Sequence, residues 1–238
     1  MGSKQQNIVI LTGAGISAES GIQTFRASDG LWHNHSIEEV ATPEGFAANP
    51  SLVHRFYNER RKQLHDTDVH PNAAHHALAK LEREYDGKVV VVTQNVDNLH
   101  ERAGSRNLIH MHGQLDKARC NNTLRSYQWL NDLDESSVCE CCSKAGNLRP
   151  HIVWFGEMPF LMDQIQQMLE DCDLFISIGT SGQVYPAAGF SKHAQICGAR
   201  TVELNLDDSE TSATFDQSIK GLASSIVPEF VEQLLAVK

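Results

Sequence analysis

The sequence predicts an α/β fold, a doubly wound parallel sheet with a small inserted module of helices and cysteine-bearing loops. Three observations predict it. Ile8-Val9-Ile10-Leu11, Val89-Val90-Val91-Val92, Leu174-Phe175-Ile176-Ser177-Ile178 and Thr201-Val202-Glu203-Leu204 are short, nearly continuous and rich in β-branched residues, as strands buried on both faces are. Helical periodicity fills the intervals, over 51–64, 73–85, 96–103, 163–170 and 187–197. Two polar stretches, 27–69 and 114–150, break the alternation, and the second holds Cys120, Cys139, Cys141 and Cys142. The expected division is a sheet domain of 1–26, 70–113 and 151–238, and a small domain of 27–69 (helical) and 114–150 (metal-binding).

Bulk composition narrows the function. The 238 residues are 41% hydrophobic and 21% charged, ordinary for a globular chain, and contain no apolar run of bilayer length. A net charge of −10 argues against a phosphate-neutralising face, so direct nucleic-acid binding is not expected. The start, Met1-Gly2-Ser3-Lys4-Gln5-Gln6, lacks an apolar signal core, and Gln6 stands where a myristoylation signal needs Ser or Thr. The expectation is a cytoplasmic protein without a membrane partner. Thiols stay reduced in that compartment, so clustered cysteines point to metal rather than disulfides.

The elements follow in order. After the first strand, Gly13, Gly15 and Ala18 fit the G-x-G-x-x-G/A pattern of Rossmann-like folds, where glycine lets backbone approach a pyrophosphate at a helix N-terminus. A tight turn that binds nothing is the bland alternative, and no acidic strand end follows about 20 residues on, as it does in the ordinary dinucleotide fold. The helix over 51–64 carries Tyr57 and Arg60 on one face at i, i+3. A phenol and a guanidinium make a carboxylate receptor, although Asn58-Glu59-Arg60-Arg61-Lys62 also reads as a solvated face. The valine strand runs into Thr93-Gln94-Asn95-Val96-Asp97-Asn98-Leu99-His100, polar at a strand carboxyl end where such sheets bind ligands; helix capping explains Asn95 and Asp97 equally well.

In His110-Met111-His112-Gly113, two histidines at i, i+2 of an extended segment point to opposite faces and make poor co-ligands. His100 and His110 read as structural. Cys139-Glu140-Cys141-Cys142 offers C-x-x-C spacing for a tetrahedral Zn²⁺, with Cys120 upstream and Cys141 as a substitute or fourth donor. Ile152–Phe155 reads by itself as one more core strand. Gly179-Thr180-Ser181 and Asn205-Leu206-Asp207 close the third and fourth strands, each also readable as a turn. Pro228 opens a last apolar helix ending near Val237.

A series of blocks in this order resembles the sirtuin family. The run Gly13 to Arg26 resembles its signature, departing at Gln23, where many members carry proline. Thr93 to His100 resembles its TQN-I/V-D-x-LH block, and His112-Gly113 its HG motif. Arg149-Pro150-His151-Ile152-Val153-Trp154-Phe155-Gly156-Glu157 and the Gly179 and Asn205 triplets match further blocks. The resemblance implies a fold and an activity: NAD-dependent removal of acyl groups from protein lysines, with transfer to ADP-ribose and release of nicotinamide. It implies NAD contacts at Gly13, Ala14, Gly15, Ser17, Ala18, Phe25, Arg26 and Trp32. It adds Gln94, Asn95, Val96, Asp97, Gly179, Thr180, Ser181, Asn205, Leu206, Asp207 and Ala223. His112 is the implied base, with Asn95 beside it in catalysis, and Val153, Phe155 and Gly156 the implied peptide and lysine contacts. The implied zinc is structural, held by Cys120, Cys139 and Cys142 with Cys141 in reserve, because Thr123 stands where the family usually has cysteine.

Phe56-Tyr57-x-x-Arg60 resembles the branch acting on succinyl, malonyl and glutaryl groups, bacterial members of which also remove acetyl. Other classes share single features. The glycine loop alone suits a dehydrogenase. The same cleft suits an ADP-ribosyltransferase or NAD glycohydrolase, or a noncatalytic NAD-sensing module.

Overall fold

A computed structural model of the chain describes residues 6–22, 31–32 and 35–236; Phe25 and Arg26 lie outside them, as does the side chain of Trp32. The chain runs through β1 (Ile8–Thr12), a 3-10 helix (Ala14–Ser20), β2 (Leu31–Trp32) and β3 (His35–Ser36). Helices α1 (Ile37–Val40), α2 (Pro43–Ala48), α3 (Pro50–Leu64) and α4 (Ala73–Glu84) precede β4 (Val89–Thr93). Next come α5 (Leu99–Ala103), β5 (Leu108–His110), β6 (Gly113–Cys120), β7 (Ser126–Gln128) and β8 (Leu148–Ile152). The last elements are α6 (Met162–Asp171), β9 (Leu174–Ile178), α7 (Phe190–Ile196), β10 (Arg200–Asn205), β11 (Gln217–Lys220) and α8 (Ala223–Ala236).

Six strands form one sheet in the order β11-β10-β9-β1-β4-β5, and all of its pairings are parallel. Every residue of β1, β4 and β9 is buried. Alternate side chains divide between two cores. Ile8, Ile10, Val89, Val91 and Ile176 meet Leu78 and Leu81 of α4 and Phe230 of α8. Val9, Leu11, Val90, Val92 and Phe175 meet Ile165 and Leu169 of α6 and Phe190 of α7. Each such side chain contributes about 1.5–3 kcal/mol on burial, so a helical layer is held on each face. From β1 the chain builds outward to β4 and β5, then returns to β9 on the other side. The strand order therefore reverses between β1 and β9, and a crevice opens beyond their carboxyl ends.

The sheet extends the four expected strands by two. The three residues of β5 and the polar Gln-Ser-Ile-Lys of β11 are edge strands, too short or too hydrophilic for an apolar-run signal. The last helix also differs. It begins at Ala223, so Pro228 lies inside it rather than at its start. The Glu19 carboxylate accepts from the Ser224 N–H (2.9 Å) and hydroxyl (2.7 Å), capping that first turn, while Ala223, Ile226 and Val227 pack into the core. Burial and capping together outweigh the roughly 3 kcal/mol cost of an internal proline. The helix expected from residue 96 starts at Leu99, because Asp97 folds its carboxylate onto the Leu99 N–H (3.0 Å).

The inserted stretches pack on each other. A three-stranded antiparallel sheet, β7-β6-β8, faces α3. Arg61 of α3 is buried and donates to the carbonyls of Leu115 (2.8 Å) and Asn131 (3.2 Å), and the Asn58 amide exchanges hydrogen bonds with the Leu133 backbone. Val53, Phe56, Tyr57, Leu64, Leu115, Ile152 and Trp154 form their shared core. No helix among the described residues is long and apolar enough to cross a membrane.

Candidate active site

A cavity of about 520 Å³ occupies the crevice between the sheet and the inserted elements. Its wall carries Gly13, Ala14 and Gly15 after β1, Gln94, Asn95, Val96 and Asp97 after β4, and His112 after β5. Gly179, Thr180 and Ser181 follow β9, and Asn205, Leu206 and Asp207 follow β10. Tyr57, Arg60, Val153, Phe155 and Gly156 close it from the other side. Nearly every site residue expected from sequence within the described residues thus borders one space. Ser17, Ala18 and Ala223 do not line it: Ser17 is buried behind the wall, Ala18 is exposed on the 3-10 helix, and Ala223 packs into the sheet core.

The glycine loop works by close contact. A Cβ on Gly13 would stand 2.7 Å from the Gly179 carbonyl oxygen, and one on Gly179 would stand 2.5 Å from the Ile16 nitrogen. The Gly15 N–H already donates to the Gly179 carbonyl at 2.9 Å. These glycines therefore let the β1 and β9 loops touch, and the helix that follows is 3-10 rather than α.

Behind the wall a buried polar network is closed by donor arithmetic. Asn95 Nδ2 donates to Ser17 Oγ (3.2 Å), and Ser17 Oγ donates to Asp97 Oδ2 (3.0 Å). His75 Nδ1 accepts from the Asn72 N–H (3.3 Å), so its proton sits on Nε2, 3.4 Å from Ser17 Oγ. Burial pushes the Asp97 carboxyl up and the His75 imidazole down to about 4. The capping expected as the bland alternative for Asp97 is present, but its other oxygen belongs to this network. Sequence reasoning missed His75 and the inward role of Ser17, since neither lies in the cavity wall.

His112 is half-buried beside the cavity. Strand β5 ends at His110 and the chain turns at Met111-His112, so the two histidines are not on one extended run. His110 is tied to Glu101 (2.7 Å) and to the Asn95 carbonyl (3.3 Å). His112 Nδ1 lies 3.2 Å from the Gln94 carbonyl, an acceptor only, so Nδ1 carries the proton and Nε2 keeps its lone pair. Burial lowers this imidazole to about 4, against a smaller upward pull from that carbonyl, and keeps it neutral at physiological pH.

At the far end, Tyr57 is fully buried and its hydroxyl accepts from Trp154 Nε1 at 3.0 Å. Burial raises the phenol well above its ordinary range, so it stays protonated. Arg60 stacks its guanidinium carbon 3.8 Å from the Phe56 ring centre and donates to the Phe56 carbonyl (2.8 Å) and to Glu59 (3.0 Å). The backbone of the segment after β8, where the resemblance implies peptide and lysine contacts, makes hydrogen bonds within the chain. Val153 N–H donates to the His112 carbonyl, Phe155 N–H to the Ala41 carbonyl (2.9 Å each), and Trp154 N–H to Glu157 Oε2 (2.8 Å). Trp154 and Glu157 went unassigned in the sequence; the Arg-x₄-Trp-x₂-Glu spacing was the available signal.

The cysteines gather at the tip of the small sheet. The sulfurs of Cys120, Cys139, Cys141 and Cys142 lie within 4.8 Å of one another. Tetrahedral Zn²⁺ with about 2.3 Å bonds needs thiolates roughly 3.8 Å apart, and Cys120–Cys142 at 3.9 Å meets this closely. Thr123 cannot ligate as a thiolate, but its hydroxyl lies 2.9 Å from Cys141 Sγ, which puts Cys141 beside the position that a cysteine at 123 would occupy. The donor set is compatible with structural zinc.

The fold and crevice define a class: a parallel α/β protein with a dinucleotide-type glycine loop and an inserted module that carries a four-cysteine cluster. The model of the Sir2 family matches residues 13–186, and the chain belongs to that family. An NAD-dependent protein deacylase of Pasteurella multocida (strain Pm70) is 61% identical over 98% of this chain and 100% of its own length. One from Vibrio vulnificus (strain YJ016) is 58% identical over 97% and 94%. A solved Sir2 homolog–NAD complex superposes with TM-score 0.86 at 40% identity, covering 96% of this chain and 89% of its own. Sir2Af2 bound to a myristoylated histone peptide gives 0.72 at 33% identity, covering 96% and 90%.

Proposed function

We propose that this protein removes acidic acyl groups, succinyl and malonyl, as well as acetyl, from lysine side chains. The broader activity, an NAD-dependent protein deacylase, rests on family membership and on full-length relatives of that name. The acidic preference is carried by one observation: Tyr57 and Arg60 border the same cavity as His112 and the glycine loop.

NAD⁺ is the co-substrate. The acyl-lysine carbonyl oxygen forms a bond to the ribose carbon as the nicotinamide bond breaks. Neutral His112 Nε2 then accepts a proton from a ribose hydroxyl, whose oxygen attacks the former carbonyl carbon; the bond from that carbon to the lysine nitrogen breaks, the amine leaves with a proton, and a water molecule completes release of the acyl group as its ester with ADP-ribose. Asn95 and Asp97, fixed by Ser17, orient the nicotinamide half; Gly179, Thr180, Ser181 and Asn205–Asp207 face the adenosine half. The phenol and guanidinium meet the distal carboxylate of the acyl chain. Phe25, Arg26 and Trp32 remain assigned by the family resemblance. Lysine-acylated proteins are the partners and the cytoplasm the compartment of this reading.

The test is nicotinamide release from one lysine peptide, succinylated or acetylated, with wild type and Arg60→Met. Selectivity for succinyl over acetyl should fall at least about tenfold in the variant, the scale of one charge-assisted contact. A wild type that ignores the succinyl peptide but cleaves the acetyl one refutes the acidic preference. No peptide-stimulated release refutes deacylation.

A further inference from the structure

Trp154 has no place in the reaction sequence above, yet it is 2% exposed, borders the cavity and carries a polar atom aimed at Tyr57. We infer that Trp154 is a positioning residue for acyl specificity: its indole N–H fixes the Tyr57 hydroxyl as a donor toward the acyl end of the cavity. The inference rests on the acidic-acyl reading and extends it to a residue that does not itself hold the acyl group.

The argument is one of donors and acceptors. Indole Nε1–H donates and cannot accept. The 3.0 Å bond from Nε1 to the phenol oxygen therefore occupies a lone pair of Tyr57 and forbids its proton from pointing at Trp154. A carboxylate is acceptor-only, so it needs the phenol as donor. Without the indole N–H, this constraint on the direction of the phenol proton is lost.

The indole is itself clamped. The Arg149 guanidinium carbon lies 3.2 Å from the Trp154 ring centre. Glu157 accepts from Arg149 at 2.7 and 2.9 Å and from the Trp154 backbone N–H at 2.8 Å. Held on its face and at its backbone, the ring has little freedom to release the phenol. Phe46, with its ring centre 5.1 Å away, packs against it as well.

The experiment compares steady-state kinetics of succinyl and acetyl peptides for wild type, Trp154→Phe, Tyr57→Phe and the double variant. Trp154→Phe keeps an aromatic ring, smaller than the indole, and deletes the N–H. The succinyl-to-acetyl ratio of kcat/KM should fall about three- to tenfold, mainly through KM, the worth of one hydrogen bond. The double variant should be no worse than Tyr57→Phe, because the indole acts through the hydroxyl. Additive losses, or equal losses on both peptides, overturn the inference and leave Trp154 as packing. If Trp154→Phe does not fold, benzothienylalanine at 154, which replaces the N–H by sulfur in the same ring shape, serves in its place. A wild type inactive on the succinyl peptide sinks the acidic-acyl reading instead. Loss in Tyr57→Phe without loss in Trp154→Phe sinks this inference alone.

Discussion

The two ends of the cavity are built in opposite ways. At the β1/β9 end, backbone does the positioning: glycines let two strand ends touch, and a closed network of Ser17, His75, Asn95 and Asp97 sits wholly inside the sheet domain. At the Tyr57/Arg60 end, side chains from α3 and the segment after β8 hold one another through an indole bond, a stacked guanidinium and the Arg149–Glu157 pair. The first end depends on the parallel sheet, which is buried in two cores. The second depends on a small module with a cysteine cluster at its tip. An end positioned by backbone tolerates little change in sequence, whereas an end built from side chains can be altered by single substitutions.

His112, between the two ends, should give the largest effect. His112→Ala should cost about 10²–10⁴-fold in deacylation while leaving the unfolding transition near wild type. Retained turnover in the folded variant refutes the base assignment. The acid limb sharpens the point. Burial lowers His112 from 6.5 to about 4, so its neutral form persists as pH falls through 6.5 and is lost only toward 4. The acid limb of kcat/KM should lie correspondingly low, and a limb at 6.5 contradicts the buried setting. The same shift makes the folded state lose stability as pH falls from 6.5 toward 4, since the unfolded chain takes a proton that the folded one refuses.

Gly179→Ala should come next. Its φ of +61° and the 2.5 Å approach of a Cβ to the Ile16 nitrogen predict a loss of about 2–4 kcal/mol. NAD binding, followed by calorimetry, should weaken with it, and an unperturbed variant means that the two strand-end loops do not touch as described.

The smallest effect on global unfolding should come from the metal site. Cys141→Ser should lower the zinc stoichiometry of the purified protein, and in Co²⁺-substituted protein it should reduce thiolate charge-transfer absorption. Cys197→Ser, at an exposed cysteine distant in sequence from the cluster, should do neither. Chelation should melt the small module first and leave the sheet transition close to its original midpoint. A coincident loss of both ends shows that the module and the sheet are one cooperative unit.

Much of this was legible in one dimension. The four apolar segments all became strands of the main sheet, because burial on both faces requires a continuous run that periodicity analysis detects. Edge strands β5 and β11 were not, since an edge has no second neighbour to demand such a run. The cavity residues after β1, β4, β9 and β10 were readable because each strand ends in polar residues. The inward bond of Ser17 to Asp97 was not, because spacing along a glycine loop does not say which way a hydroxyl points. Trp154 and Glu157 were hidden because their partners, Tyr57 and Arg149, are joined to them only across the fold.

By itself, then, the sequence determined the parallel α/β class and singled out the polar strand ends and His112 as candidate site residues, because these follow from local hydrophobic runs and short motifs. Only the tertiary structure decided that Ser17 meets Asp97, that Cys141 joins the sulfur cluster beside Thr123, and that an indole 97 positions from Tyr57 donates to its hydroxyl. Hydrogen-bond direction and sulfur geometry depend on distances between residues far apart in the chain, and no local pattern encodes those distances.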